Sequence, residues 1–229
     1  MANIYETIFK KYGLSATQKE IIKLVGKRKI ILEIGSSTGY MTQAFIRNKC
    51  IVDVVEIDTK TLNKLPKKVS KVINLSIEDS EIKNFLSKDY DFIIMADVLE
   101  HLVNPQKALK ILYKIASKKT KLIISMPNIA SWIMRKQLLF KGDFQYQESG
   151  LLDKTHLHFY TPKTLPKLLE ENGWKVEKMI GTITYLPFSQ SITKIPIFGW
   201  FFKKFIYLSL VEKYKNLSYY HFLVLAFKK

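Results

Sequence analysis

Cysteine is almost missing from this chain: Cys50 stands alone among 229 residues. A single thiol cannot build a disulfide framework or a cysteine metal site, and it fits a reducing compartment. Arginine is scarce too. Of the 37 basic residues only Arg28, Arg47 and Arg135 are arginines. The net charge of +17 invites a nucleic-acid reading. Base and phosphate recognition, however, favours the arginine fork, and the lysines are dispersed along the chain. We adopt a solvated basic surface and set nucleic acid aside as a partner. No run reaches the ~18 apolar residues of a membrane span. The opening, MANIYETIFKKYG, has no uninterrupted apolar segment, so no signal peptide and a cytoplasmic location are expected.

What is present is enough for a full core. Apolar residues make up 47% of the chain, and its length suits one domain. The organising stretch is KIILEIGSSTGY, residues 29–40. An apolar run ends at Glu33, a small polar turn spans Gly35, Ser36, Ser37, Thr38 and Gly39, and a helical pattern starts at Tyr40. Strand, glycine turn and helix form a nucleotide-binding unit, in which free helix N–H groups point at the ligand. The glycines are read as letting the backbone approach it. A second apolar run, 51–55, ends in Glu56, an acid placed to accept hydrogen bonds from ribose hydroxyls. The turn lacks the lysine and hydroxyl of a P-loop and the last glycine of a dinucleotide fingerprint. An adenosine ligand without phosphates therefore fits better than a pyrophosphate.

These motifs resemble the class I S-adenosylmethionine-dependent methyltransferases. Ser37 departs from the pattern, standing where that family has its middle glycine. The resemblance implies a Rossmann-like α/β fold, a seven-stranded sheet of order 3-2-1-4-5-7-6 with strand 7 antiparallel, and an insertion after strand 5. It implies S-adenosylmethionine as cofactor, held by Glu33, Gly35, Ser36, Ser37, Gly39 and Glu56, with Asp58 as a second ribose contact or a helix cap. The adenine segment falls on Ser76, Ile77 and Glu78, where the usual acid is absent. Ala96 and Asp97, at the carboxyl end of the fourth strand, face the methionine part or the acceptor.

Along the chain, residues 1–28 read as amphipathic helices and 29–128 as the cofactor-binding core, with strands at 29–34, 51–56, 71–76, 91–96 and 121–126. Helices are expected near 39–48, 59–65, 79–88 and 104–117. Residues 129–161 are too long for a plain connection and read as an acceptor-side insertion. Residues 162–229 supply a helix opened by Thr161 and Pro162, a sixth strand at 174–179, an aromatic helix at 195–215 and a seventh strand at 220–227.

The insertion carries Trp132 and Tyr146, read as acceptor contacts, and the run GLLDKTHLHFYT at 150–161. Its spacing resembles a methyltransferase subgroup associated with cell-surface polysaccharide and glycan assembly. Asp153, His156 and His158 form the densest group of proton-handling side chains, and His101 follows the fourth strand. If 156–160 is extended, His156 and His158 share a face. These four are read as catalytic, since a hydroxyl must lose its proton as it attacks a methyl carbon. A divalent metal on the two histidines and the aspartate is the lesser reading, and no metal is expected.

The expected reaction is methyl transfer to a hydroxyl or amine of a sugar or other small molecule. The alternatives are an RNA or protein methyltransferase, or a non-catalytic adenosine-binding module in a glycan-assembly complex. Residues 195–210 are aromatic and basic and would suit peripheral contact with a membrane. The oligomeric state is not legible.

Overall fold

Seven apolar segments alternate with helices, and each finds its place in one sheet. In the computed structural model, which describes residues 7, 9, 11–87, 89–184, 186 and 206–229, the strands are β1 (Ile30–Ile34), β2 (Ile51–Val55), β3 (Lys71–Ile73), β4 (Phe92–Ala96), β5 (Lys121–Pro127), β6 (Trp174–Thr184) and β7 (Tyr219–Lys228). Their order is β3-β2-β1-β4-β5-β7-β6. β7 runs antiparallel to both neighbours, and the other pairings are parallel.

Both faces of the sheet are covered, which explains the unbroken apolar runs of β1, β4 and β5. Successive residues alternate between two cores. Leu32, Ile93, Leu122 and Trp174 belong to one core. Ile31, Ile94, Ile123 and Leu223 belong to the other, with Phe45, Ile21 and Val25. The helix Ala16–Val25 opens with a capping box, Ser15 with Gln18, and buries Thr17, Ile21 and Val25. It is therefore a core-covering helix. Further towards the N-terminus, the Phe9 ring stacks on Tyr40, with centroids 3.4 Å apart.

Several boundaries differ from expectation. The 79–88 helix is a single 3-10 segment, Ser80–Asn84, and the 59–65 helix shortens to Thr59–Leu62. β3 ends at Ile73, because Glu56 N–H is the last donor to reach it, bonding Ile73 O at 3.1 Å. The helix expected from Pro162 begins at Thr164, since Thr161 Oγ1 accepts from the N–H groups of Lys163 and Thr164 in a preceding turn. β6 is 11 residues long, matched to the length of β7. Residues 195–205 of the aromatic segment lie outside the described residues, and Tyr207–Lys213 is helical. No helix among the described residues is long and apolar enough to cross a membrane.

Candidate active site

The parallel strands point their carboxyl ends to one edge, and the polar residues collect there. At the end of β1, Glu33 is 1% exposed. Thr42, on the helix after the glycine turn, donates to Glu33 Oε2 at 2.6 Å. Burial pushes the Glu33 carboxyl up to about 8 against that bond, and the nearby Glu56 adds to the rise. Glu33 Oε1 and Ser36 Oγ are both buried without a hydrogen-bond partner.

The turn between them is held by Glu56. Its Oε2 accepts from Ser37 N–H at 2.7 Å and its Oε1 from Asp58 N–H at 2.9 Å. Each oxygen keeps a second lone pair. Gly35, Ser37 and Gly39 all have positive φ, so Ser37 adopts the left-handed conformation that glycine takes without cost. The glycines themselves answer to the protein. A Cβ on Gly35 would lie 2.5 Å from Val98 Cγ2, and one on Gly39 2.7 Å from Pro66 Cδ. Their lack of a side chain admits Val98 and Pro66.

Four nominated cofactor contacts have structural duties. Asp58 caps the helix Thr59–Leu62 through Lys60 N–H. Ser76 Oγ accepts from Glu78 N–H, and Ile77 is in the core. The Glu78 carboxylate receives the N–H groups of Val103 and Asn104, tethering the loop before the helix Pro105–Ile115.

Asp97, just beyond β4, has a side chain 51% exposed at the carboxyl edge of the sheet. Its φ is +57°, a strained backbone for aspartate. Ser125 Oγ donates to its Oδ1 at 3.0 Å. His221 Nε2 lies 2.9 Å from the same oxygen. Desolvation opposes ionisation, but His221 and Ser125 together hold the carboxyl below the usual range. Behind it, His221 Nδ1 meets Thr17 Oγ1 at 3.1 Å and Thr182 Oγ1 at 3.2 Å.

The insertion folds back onto the same edge. Met134, Leu151 and Leu152 form a small core with Ile129, Phe159 and Tyr220. Two of its N–H groups, from Leu157 and His158, bond to Glu100 O. This docking puts Asp153 and His156 in the interior beside His101. Asp153 Oδ1 accepts from the Thr155 amide at 2.9 Å and hydroxyl at 2.6 Å. Burial lowers the His156 imidazole below its ordinary range, although its bond to Leu151 O and nearby carboxylates oppose this. His158 does not share its face: residues 153–156 form a turn, and His158 Nε2 sits on the exposed side near Val103 O. Tyr146 is 56% exposed, and its ring packs with Phe144 and Phe159. Trp132 opens the helix Trp132–Lys141, half-buried.

Two residues of this edge escaped the sequence reading. His221 was hidden inside the apolar run YYHFLVLAF, although a histidine in a buried strand was itself a signal. Only the register, with His221 opposite Pro127, brings it to the carboxyl edge. Glu100 was overshadowed by His101. It is 2% exposed, and burial together with the charge of Asp97 raises its carboxyl well above the usual range.

A parallel sheet closed by one antiparallel strand, with a glycine turn, an acid at each of β1, β2 and β4, and an insertion over the edge, defines a methyltransferase of the S-adenosylmethionine-dependent class. A methyltransferase-domain family model matches residues 9–179, and the chain belongs to that family. Solved structures agree in fold. A SAM-dependent methyltransferase from Archaeoglobus fulgidus is 18% identical, covers 98% of this chain and 99% of its own, and has a TM-score of 0.66. One from Thermotoga maritima is also 18% identical, with coverage of 99% and 96% and a TM-score of 0.65. The N-methyltransferase NodS from Bradyrhizobium japonicum, solved with S-adenosyl-L-homocysteine, is 12% identical, with coverage of 93% and 85% and a TM-score of 0.57. No curated protein sequence matches the chain.

The residues present fit S-adenosylmethionine. The orphaned Glu33 Oε1 and Ser36 Oγ and the spare lone pairs of Glu56 offer polar partners on both sides of the turn. The cofactor supplies an electrophilic methyl group on a sulfonium.

Proposed function

We propose that this enzyme methylates a hydroxyl of a sugar or sugar-like small molecule. The observation that carries the reading is Asp97: ionised, half-exposed at the carboxyl edge of the sheet, with Ser125 and His221 both on Oδ1. Oδ2 is thereby left to receive a hydrogen bond from an acceptor. Asp97 Oδ2 would hold the acceptor hydroxyl and take its proton, while the cofactor, when bound, would supply the electrophilic methyl group. A carboxylate held below its usual range is a weak base. Alignment of oxygen, carbon and sulfur therefore carries most of the effect.

The insertion supports a small glycan acceptor. Phe144, Tyr146 and Phe159 make an aromatic group with centroids 5.7–6.4 Å apart, and Phe144 and Tyr146 remain exposed. Such faces stack on the apolar side of a sugar ring. An amine acceptor is the second reading, because an anionic Asp97 suits a cation and NodS is named an N-methyltransferase.

Calorimetry with S-adenosylmethionine and S-adenosylhomocysteine tests the cofactor site. Glu56→Ala should weaken both at least about tenfold, as expected for a lost charge-assisted hydrogen bond of about 1.5–3 kcal/mol. Unchanged affinity removes the ribose assignment. A panel of sugar and amine acceptors, followed by S-adenosylhomocysteine release, then decides the acceptor. Turnover of amines alone overturns the hydroxyl reading.

A further inference from the structure

Beside Asp97 lies a group of side chains that methyl transfer by alignment alone does not need. Glu100, His101 and His156 each bring one potential ligand atom to within 4.8 Å of the others. They come from two distant segments, the turn after β4 and the docked insertion. The insertion's backbone bonds to Glu100 O fix the two segments together.

The state of the imidazoles follows from their partners. His101 Nδ1 lies 3.1 Å from Thr155 O, and His156 Nδ1 lies 3.0 Å from Leu151 O. A carbonyl oxygen can only accept, so each Nδ1 carries the proton. In the neutral ring each Nε2 then bears a lone pair. Backbone carbonyls that fix a ring in this way are the usual outer support of a metal-binding histidine. The rings stand edge to face with centroids 4.7 Å apart. Glu100 is 2% exposed, and neither of its carboxylate oxygens has a hydrogen-bond partner. The centre thus assembles two imidazole lone pairs and a carboxyl group, with no side-chain or backbone donor from a neighbouring residue bonded to the carboxyl oxygens. A buried carboxylate with both oxygens unpaired is costly. A cation between the three groups removes that cost.

We infer that Glu100, His101 and His156 bind a divalent transition-metal ion. Two imidazoles and one carboxylate, without thiolate, suit zinc, cobalt, iron or manganese; magnesium and calcium prefer all-oxygen sets. Three protein ligands leave coordination positions open, the arrangement of a catalytic site and not of a closed structural one. The open position takes the acceptor oxygen. This role rests on the hydroxyl-methylation reading above, and it supplies what Asp97 lacks. A Lewis acid lowers the pKa of a bound hydroxyl, so a weak base suffices to take its proton. An acceptor with two neighbouring hydroxyls, as on a sugar ring, could chelate the ion through both.

The test uses Co²⁺ as probe on the full-length chain, stripped with a chelator and dialysed. Titration should give one saturable site per chain with visible d–d absorption. Glu100→Gln, His101→Asn and His156→Asn should each weaken Co²⁺ at least tenfold; the asparagines keep a donor near the Nδ1 position. Far-UV circular dichroism and calorimetry with S-adenosylmethionine, run in chelator, show whether each variant is folded and keeps the cofactor site. Folded variants that bind Co²⁺ as well as the wild type overturn the inference, as does wild-type chain with no saturable site. A Glu100→Gln variant that melts higher than the metal-free wild type while wild type ignores Co²⁺ identifies the missing cation as a proton and also overturns it. Since cofactor binding is read without metal, loss of the metal site and loss of the methyltransferase reading are separate results.

Discussion

His221 Nε2 lies 2.9 Å from Asp97 Oδ1, joining the last strand to the end of β4 across 124 positions of sequence. The pair depends on β7 being inserted antiparallel between β5 and β6. Thr17 and Thr182 stand behind the ring. Removing the imidazole should let the Asp97 carboxyl rise towards its ordinary range. A depressed carboxyl gives stability above its unfolded pKa, lost as pH falls through its lower folded value. His221→Phe should therefore melt lower than the wild type near pH 7, and the gap should narrow on acidification as the wild type loses a contribution that the variant lacks. Thermal melts between pH 3 and pH 7 check this, and a gap that is absent at pH 7 or does not change with pH would show that the pair contributes nothing of this kind.

Glu33 behaves in the opposite sense. Its carboxyl is raised to about 8, chiefly by burial. Between the unfolded value near 4.5 and 8 the native chain holds a proton that the unfolded chain has released. Stability from this group is fully present below the unfolded pKa and falls as pH rises, by up to about 1.4 kcal/mol per pH unit. Glu33→Gln keeps the shape and removes the titration. In the absence of cofactor it should melt higher than the wild type at pH 8 and converge with it near pH 4. A constant difference across that range would contradict the assignment.

The core of the fold was legible because its signals are local. Apolar runs at 30–34, 92–96 and 121–127 are buried on both faces, so each stands out without knowledge of its neighbours. The Gly35–Gly39 turn was equally legible as a turn, yet its reason was not. That Val98 and Pro66 fill the space above the glycines is a contact between segments distant in sequence. The candidate site divides in the same way. Glu33, Glu56 and Asp97 end strands, and strand ends can be read from periodicity. Glu78 looked like an adenine contact because it follows β3, but its tie to Asn104 depends on how two loops pack. His156 and His158 looked equivalent under an assumed extended backbone, but a local turn at 153–156 precedes them and both the Leu157 and His158 N–H groups bond to Glu100 O, a contact between segments distant in sequence.

That separation gives a direct comparison. His158 is on the exposed side, with a long contact of 3.4 Å to Val103 O. His158→Ala should change stability by no more than about 0.5 kcal/mol and leave S-adenosylhomocysteine release unchanged. His156 is 6% exposed, bonds Leu151 O and packs on His101 and Phe159. His156→Ala opens a cavity and orphans that carbonyl, at a cost of about 2–4 kcal/mol. Chemical denaturation of both variants decides. Equal effects would mean that the insertion does not hold the turn described.

The fit of Val98 over Gly35 can be isolated by a double-mutant cycle. Gly35 has a φ of +70°, and an added Cβ would meet Val98 Cγ2 at 2.5 Å. Gly35→Ala thus meets two penalties: left-handed backbone, roughly 1–2 kcal/mol, and overpacking, roughly 1–3 kcal/mol. Val98→Ala removes the clashing methyl but cannot change the backbone preference. The double variant should recover the packing part of the loss and keep the backbone part. Denaturation midpoints of the four proteins give the coupling, expected to be favourable by about 1 kcal/mol or more. Additive effects would mean that Val98 does not occupy the space over the glycine. Gly35 would then be required for the left-handed turn alone.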